Sequence, residues 1–174
     1  MNILFFTNRN FITWINYFIN LDAKKTIYIK GKKVLFFTPN QLTEWRARTF
    51  IEKEPDTIEW INNFNTKKNI IFWDIGANIG VYSIYASFIH KKKIKVFAFE
   101  PSSSNLRVLS RNIFLNNMVN KISINTLPLT DKKNKFLEMK ELKFEEGLSL
   151  NSFGEQYNFE GRKFNIGNSY KILG

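Results

Sequence analysis

Phe72-Trp73-Asp74-Ile75-Gly76-Ala77-Asn78-Ile79-Gly80 is followed, after one helix-length segment, by Phe99-Glu100-Pro101. The apolar run from Ile70 to Trp73 ends in an acid and then a glycine-punctuated turn. The run from Val96 to Phe99 ends in a second acid. Two such units read as the first strands of a doubly wound α/β sheet, with a nucleoside-type cofactor at their carboxyl ends.

The glycines have a physical purpose. A tight strand-to-helix turn needs positive φ or a close ligand approach, and both favour a residue without Cβ. The helix that follows offers free backbone N–H groups. The dinucleotide fingerprint is G-x-G-x-x-G. Here the spacing from Gly76 to Gly80 is G-x-x-x-G, with Asp74 two residues ahead. A carboxylate there repels a pyrophosphate and attracts a cationic cofactor. Glu100, at the end of the second strand, is placed to accept hydrogen bonds from ribose hydroxyls. That geometry serves either NAD or S-adenosylmethionine, and Asp74 with the altered spacing favours S-adenosylmethionine.

Working outward, Val81, Ile84, Tyr85 and Phe88 share one helical face, so a helix is expected from about Gly80 to Phe88. A Ser among Ser102 to Ser104 caps the next helix, with Leu106, Leu109 and Ile113 facing the sheet and Asn116-Asn117 ending it. A third strand is expected over Ile122 to Leu127, and a weaker one over Phe136 to Met139. No periodicity stands out from Glu145 to Gly174. Upstream, Thr26–Ile29 and Val34–Phe37 flank Lys30-Gly31-Lys32-Lys33 as a hairpin. Leu42, Trp45, Thr49 and Phe50 mark one face of a helix that Pro55 interrupts. Asp56 or Thr57 is expected to cap the helix carrying Ile58, Trp60, Ile61 and Phe64. Residues 1–23 form an aromatic segment compatible with a helix. Trp45, Trp60 and Trp73 are expected in the core. Tyr82 fits packing and the cofactor pocket equally, and His90, the only histidine, reads as a solvated helix end beside Lys91–Lys93.

The chain has 174 residues, 44% of them hydrophobic and 16% aromatic, which is enough for a packed core. The expected organisation is an N-terminal extension of hairpin and helices, 1–66, before a partial Rossmann-like domain, 67–174. Three good strands and a weaker fourth leave the doubly wound sheet incomplete, so a truncated product is expected. No apolar run is long enough to span a bilayer, and the N-terminus lacks a signal-peptide pattern. Cysteine is absent, which rules out disulfides, a thiolate nucleophile and Cys-ligated metals; a cytoplasmic location is expected. The net charge of +11 admits an anionic partner. Lys, Asn, Ile and Phe are abundant together, however, as AT-rich coding produces. The basic residues come as short runs in turn-like places, with no zinc-finger, RNP-type or basic-zipper pattern.

Asp74-Ile75-Gly76-Ala77-Asn78-Ile79-Gly80-Val81-Tyr82-Ser83, then Ala98-Phe99-Glu100-Pro101 and Asn105, resemble the FkbM family of S-adenosylmethionine-dependent methyltransferases. The resemblance covers about residues 50 to 131 and includes Glu54-Pro55-Asp56-Thr57. It implies a class I methyltransferase fold and methylation of a sugar or other small-molecule hydroxyl. It also implies that S-adenosylmethionine is held by Asp74, Gly76, Ala77, Asn78 and Gly80 at the methionine end, by Glu100 and Pro101 at the ribose, and by Asp131 near the adenine. The family's strand of the type K-I-D-V-E-G-x-E, close to the methyl acceptor, has no counterpart before Gly174. No catalytic base is assigned, and no metal is expected.

Two other functions compete. An RNA methyltransferase would use the net charge and requires a basic face beside the pocket. A truncated, non-catalytic remnant or scaffold would fold without binding the cofactor.

Overall fold

The computed structural model describes residues 8–131, 135–157, 161–163 and 168–174. The start of the aromatic N-terminal segment, 1–7, lies outside them. The segment continues as helix α1 (Asn8–Asp22), whose Phe11, Trp14, Tyr17 and Phe18 are exposed. Among the described residues no helix is long and apolar enough to cross a membrane.

Strands β1 (Lys24–Ile29) and β2 (Lys32–Phe37) pair antiparallel through a turn at Lys30 and Gly31. Both turn residues have positive φ, 48° and 74°. This is the backbone twist that lets two residues close a hairpin. The hairpin's outer edge is not left bare. Asn112 Oδ1 accepts from Phe37 N at 2.6 Å, and Asn116 bonds both N and O of Leu35. Side-chain amides thus stand in for a missing strand neighbour.

Helix α2 (Gln41–Lys53) begins at a capping box in which Asn40 and Thr43 exchange side-chain and backbone bonds. This start turns Thr43, Ala47 and Phe50 inward. The face expected from Leu42, Trp45 and Thr49 is therefore rotated, and Trp45 is exposed. Helix α3 (Pro55–Asn62) starts at least two residues earlier than expected, with Pro55 in its first turn. Neither Asp56 nor Thr57 is the cap; Glu54 holds that position without a side-chain bond. Proline suits the first turn because the N–H it lacks has no helical partner there.

The α/β portion follows the expected order: β3 (Ile70–Ile75), α4 (Val81–His90), β4 (Ile94–Phe99), α5 (Ser103–Leu115) and β5 (Ile122–Asn125). The sheet is parallel in the order β3-β4-β5. Two right-handed crossovers advancing in one direction put α4 and α5 on the same face. There Phe72, Val96 and Ala98 meet Ile84, Ala86, Val108 and Leu109 in a core that also holds Val34, Phe36 and Phe50. The stretches on either side of residue 66 share this one core. The opposite face shows Ile71, Trp73 and Ile75, each more than half exposed. Trp73 alternates with buried Phe72 and Asp74, so it points away from the helices. Trp60 is exposed too, packed edge-on against Phe64 and Phe72. His90 is not a solvated helix end: it is buried, with Nε2 2.7 Å from the Ile61 carbonyl and its ring stacked on Phe64.

A second small sheet, in the order β7-β6-β8, is antiparallel and joins β6 (Phe136–Glu141), β7 (Ser152–Phe153) and β8 (Asn168–Leu173). The last of these lies in the stretch where no periodicity stood out.

Candidate functional site

Strand alternation on β3 sends Asp74 into the protein beside Phe72, where only 7% of it is exposed. Ser83, in the first turn of α4, donates its hydroxyl to Asp74 Oδ2 at 2.5 Å. Burial pushes the Asp74 carboxyl above its ordinary value, and the Ser83 bonds offset part of that rise. The next turn is tied to β4: the N–H groups of Gly76 and Ala77 both donate to the Phe99 carbonyl at 2.9 Å.

Gly76 and Gly80 both have positive φ, but they do different work. A Cβ on Gly76 would meet nothing within 4 Å, so the backbone there faces open space. A Cβ on Gly80 would lie 2.4 Å from Leu109 Cδ1. Gly80 lets α4 and α5 pack closely and lines neither cleft described below.

Glu100 is 5% exposed at the end of β4. Its Oε2 accepts from Asn78 N at 2.6 Å and its Oε1 from Ser102 N at 2.9 Å. Burial raises its carboxyl above the ordinary value, against the pull of these two bonds and of the Asn105 side chain. A carboxylate has about four acceptor sites, so capacity for a further donor remains.

A segment expected to be featureless, Glu146 to Leu148, is strapped across this turn. Asn40 Nδ2 donates to the Glu146 carbonyl, Arg46 Nε to the Gly147 carbonyl, and Asn78 Nδ2 to the Leu148 carbonyl. Asn105 clamps it from below, accepting from Gly147 N and donating to Leu148 O. The Asn78 side chain, expected to line the methionine end, is thus spent largely on holding the strap.

Two clefts flank the strap and share Gly76, Asn78 and Ser149. The larger, about 290 Å³, is lined by Asp74 and Ala77 together with Arg46, Lys53, Glu54 and Tyr82. Burial and a hydrogen bond with Glu54 push the Tyr82 hydroxyl up, so it stays protonated. Burial draws the Arg46 guanidinium below its ordinary value. The smaller cleft, about 190 Å³, is lined by Glu100, Pro101, Asn105, Met139 and Asn151. Asn151 Oδ1 is buried there with no hydrogen-bond partner among the described residues.

Asp74, Gly76, Ala77, Asn78, Glu100 and Pro101 are therefore brought together, and Asp131 is not. It is exposed, lines neither cleft, and Thr130 Oγ1 is 3.5 Å from it. Proximity to the end of β5 in sequence did not fix the path of the loop. Arg46 and the strap were missed, because only the fold brings them to the turn. Glycine at 147 is their one trace in the sequence: its φ is +85°, and a Cβ would crowd Thr43 and Leu42.

The residues fit S-adenosylmethionine on three observations. The backbone at Gly76 faces open space, the buried Glu100 carboxylate has acceptor capacity left, and Asn151 offers an unpaired acceptor at the far end.

The family model of the methyltransferase FkbM domain matches residues 74–163. Methyltransferase sdnD of Sordaria araneosa is 37% identical over 90 residues, covering 47% of this chain and 34% of that protein. The chain thus spans about a third of the length of this curated relative. Among solved structures, the SAM-dependent methyltransferase from Agrobacterium tumefaciens matches with 15% identity and a TM-score of 0.44, over 60% of this chain and 32% of that one. The SAM-dependent O-methyltransferase from Thermotoga maritima matches with 14% identity and a TM-score of 0.40, over 63% and 44%.

Proposed function

The chain belongs to the FkbM methyltransferase family, and from that premise we propose that it binds S-adenosylmethionine for methyl transfer to a hydroxyl of a sugar or other small molecule. The observation that carries this reading is the placement of Glu100. It is a buried carboxylate bonded to the N–H groups of Asn78 and Ser102, at one wall of a cleft that meets a second cleft at Gly76.

In this reading the adenosine occupies the smaller cleft, with its ribose on Glu100 and its base between Met139 and Asn151. The methionine portion crosses the open backbone at Gly76 into the larger cleft. When bound, S-adenosylmethionine supplies a methyl group activated by its sulfonium. The chain's own residues bind, orient and shield. Asp74 and Glu54 put negative charge where the cofactor is cationic. The strap from Glu146 to Leu148 covers the turn and keeps water from it. Orientation of the two reactants is the main thing such a site must supply.

The mouth of the larger cleft supports a small polyhydroxylated acceptor. Trp45 is partly exposed there, with Lys53 Nζ 4.9 Å from its ring centre. An aromatic face beside a cation suits a sugar, which stacks its C–H surface and hydrogen-bonds its hydroxyls. Arg46 and Lys53 are interleaved with Glu54 and Asp74. That mixture fits a small acceptor better than a nucleic acid, which calls for a basic stripe.

Calorimetric titration with S-adenosylhomocysteine tests the reading, with circular dichroism as the control for folding. Micromolar binding that Glu100→Gln weakens at least tenfold is the expected result. A folded chain that binds neither S-adenosylhomocysteine nor S-adenosylmethionine would leave a non-catalytic scaffold as the better description.

A further inference from the structure

Arg46 is the one cation in the larger cleft that is drawn into the protein while most of its donors stay unused. It is half-buried, and its Nε donates to the Gly147 carbonyl. No carboxylate lies within ion-pair distance of it among the described residues. A guanidinium carries five N–H donors in a fixed fork. Burying that fork with a single protein acceptor is unfavourable unless something else completes it. The Arg46 Cζ also stands 6.0 Å from the centre of the Trp45 ring, which the neighbouring Lys53 approaches more closely, at 4.9 Å.

The same cleft also holds the complementary charge. Asp74 is buried at the end of β3, and Glu54 precedes α3. A cleft lined both by a guanidinium with no ion-pair partner among the described residues and by carboxylates matches a zwitterion: an α-amino acid group with its carboxylate toward the cation and its ammonium toward the acids. Resting on the S-adenosylmethionine reading above, we infer that Arg46 is the receptor for the α-carboxylate of the cofactor's methionine portion.

Two consequences separate this role from a purely structural one. A planar fork meets a carboxylate in two parallel bonds, so lysine is a poor substitute. The contribution also depends on the ligand having a carboxylate. 5′-Methylthioadenosine shares the adenosine and the sulfur of S-adenosylhomocysteine but lacks the amino acid group, so Arg46 has nothing to grip.

The experiment measures dissociation constants of both ligands for the full chain and for Arg46→Gln and Arg46→Lys. Glutamine keeps a donor for the Gly147 carbonyl, and lysine keeps the charge. For Arg46→Gln, affinity for S-adenosylhomocysteine is expected to fall about tenfold to a hundredfold, the range of a charge-assisted bond. Affinity for 5′-methylthioadenosine should change less than about twofold, well under one such bond. Arg46→Lys should fall between the parent chain and Arg46→Gln. Equal losses for both ligands would overturn the inference and assign Arg46 to holding the strap. So would unchanged binding of S-adenosylhomocysteine in Arg46→Gln. Should Arg46→Gln fail to fold, the ratio of the two affinities in Arg46→Lys carries the test in the same way. A parent chain that binds 5′-methylthioadenosine as tightly as S-adenosylhomocysteine also overturns the inference, while the cofactor reading survives. Binding of neither ligand by the folded parent chain removes the cofactor reading and this inference with it.

Discussion

The backbone N–H of Asn78 donates to Oε2 of Glu100 at 2.6 Å, joining the turn after β3 to the end of β4. The second Glu100 oxygen takes the N–H of Ser102, which caps α5. One carboxylate therefore fixes both loops that border the smaller cleft. Glu100→Ala would orphan two donors, at roughly 1–3 kcal/mol for each that water cannot reach. Glu100→Gln keeps an acceptor oxygen for one of them and should be the milder change. Urea titration checks this through the midpoint at constant slope. Equal stability of Glu100→Ala and the parent chain would mean that solvent already reaches both N–H groups.

Asp74 carries a different cost. Burial raises its folded-state carboxyl above the ordinary value of 3.8, with the Ser83 bonds opposing. A raised folded value favours the native state fully below the unfolded value, and that advantage is lost as pH climbs through the folded value. As pH climbs through the folded value, the protein comes to hold a buried charge at the expense of stability. Asp74→Asn removes the charge and can still accept from the Ser83 hydroxyl. The variant's melting temperature relative to the parent should be higher at pH 7 than at pH 4. Its affinity for S-adenosylmethionine should fall. Calorimetric melting at both pH values decides it; a variant whose melting temperature relative to the parent is lower at pH 7 than at pH 4 would show that the ionised carboxylate supports the fold.

The two turn glycines should separate cleanly. Gly80→Ala would force a Cβ to within 2.4 Å of Leu109 Cδ1, and Leu109 is fully buried. Overpacking costs about 1–3 kcal/mol, and left-handed backbone adds about 1–2 kcal/mol. Gly76→Ala meets no atom and should cost only about 1–2 kcal/mol, the backbone term. Its methyl group would instead occupy the open space in front of the turn. Stability should therefore fall most in Gly80→Ala, and ligand binding most in Gly76→Ala. Denaturation and titration of both variants would expose a reversal of that order.

Much of the site was legible because it is local. An apolar run, an acid and a glycine turn lie within a few residues of one another, so Asp74, Gly76 and Glu100 could be read in place. The rest depends on contacts that sequence spacing does not reveal. Arg46 and Gly147 are 101 positions apart and meet only because α2 and the strap pack on the same turn. Asn105 and Asn112 look like ordinary polar helix residues, yet one clamps the strap and the other seals the hairpin edge. Trp73 shows the opposite error. Its bulk suggested the core, while alternation with Phe72 and Asp74 places it on the other face. Tyr170 and Ile172 are half-buried between exposed Ser169 and Lys171, a period of two too short to stand out among polar residues.

The uncovered face of the parallel sheet leads to the last prediction. Ile71, Trp73 and Ile75 stand in a row along β3, exposed by 68%, 57% and 63%. Parallel sheets ordinarily have both faces covered, and a contiguous apolar patch of this kind promotes association. Thr is β-branched and keeps the strand preference while adding a hydroxyl. Ile71→Thr with Ile75→Thr should therefore lower binding of a hydrophobic dye and reduce self-association, because the patch shrinks. The melting temperature should stay nearly constant, because neither side chain is packed in the helix-covered core. Sedimentation velocity and dye fluorescence read the first effect, and calorimetry the second. A clear drop in melting temperature would mean that this face is packed in solution and that its residues contribute to the fold as core residues do.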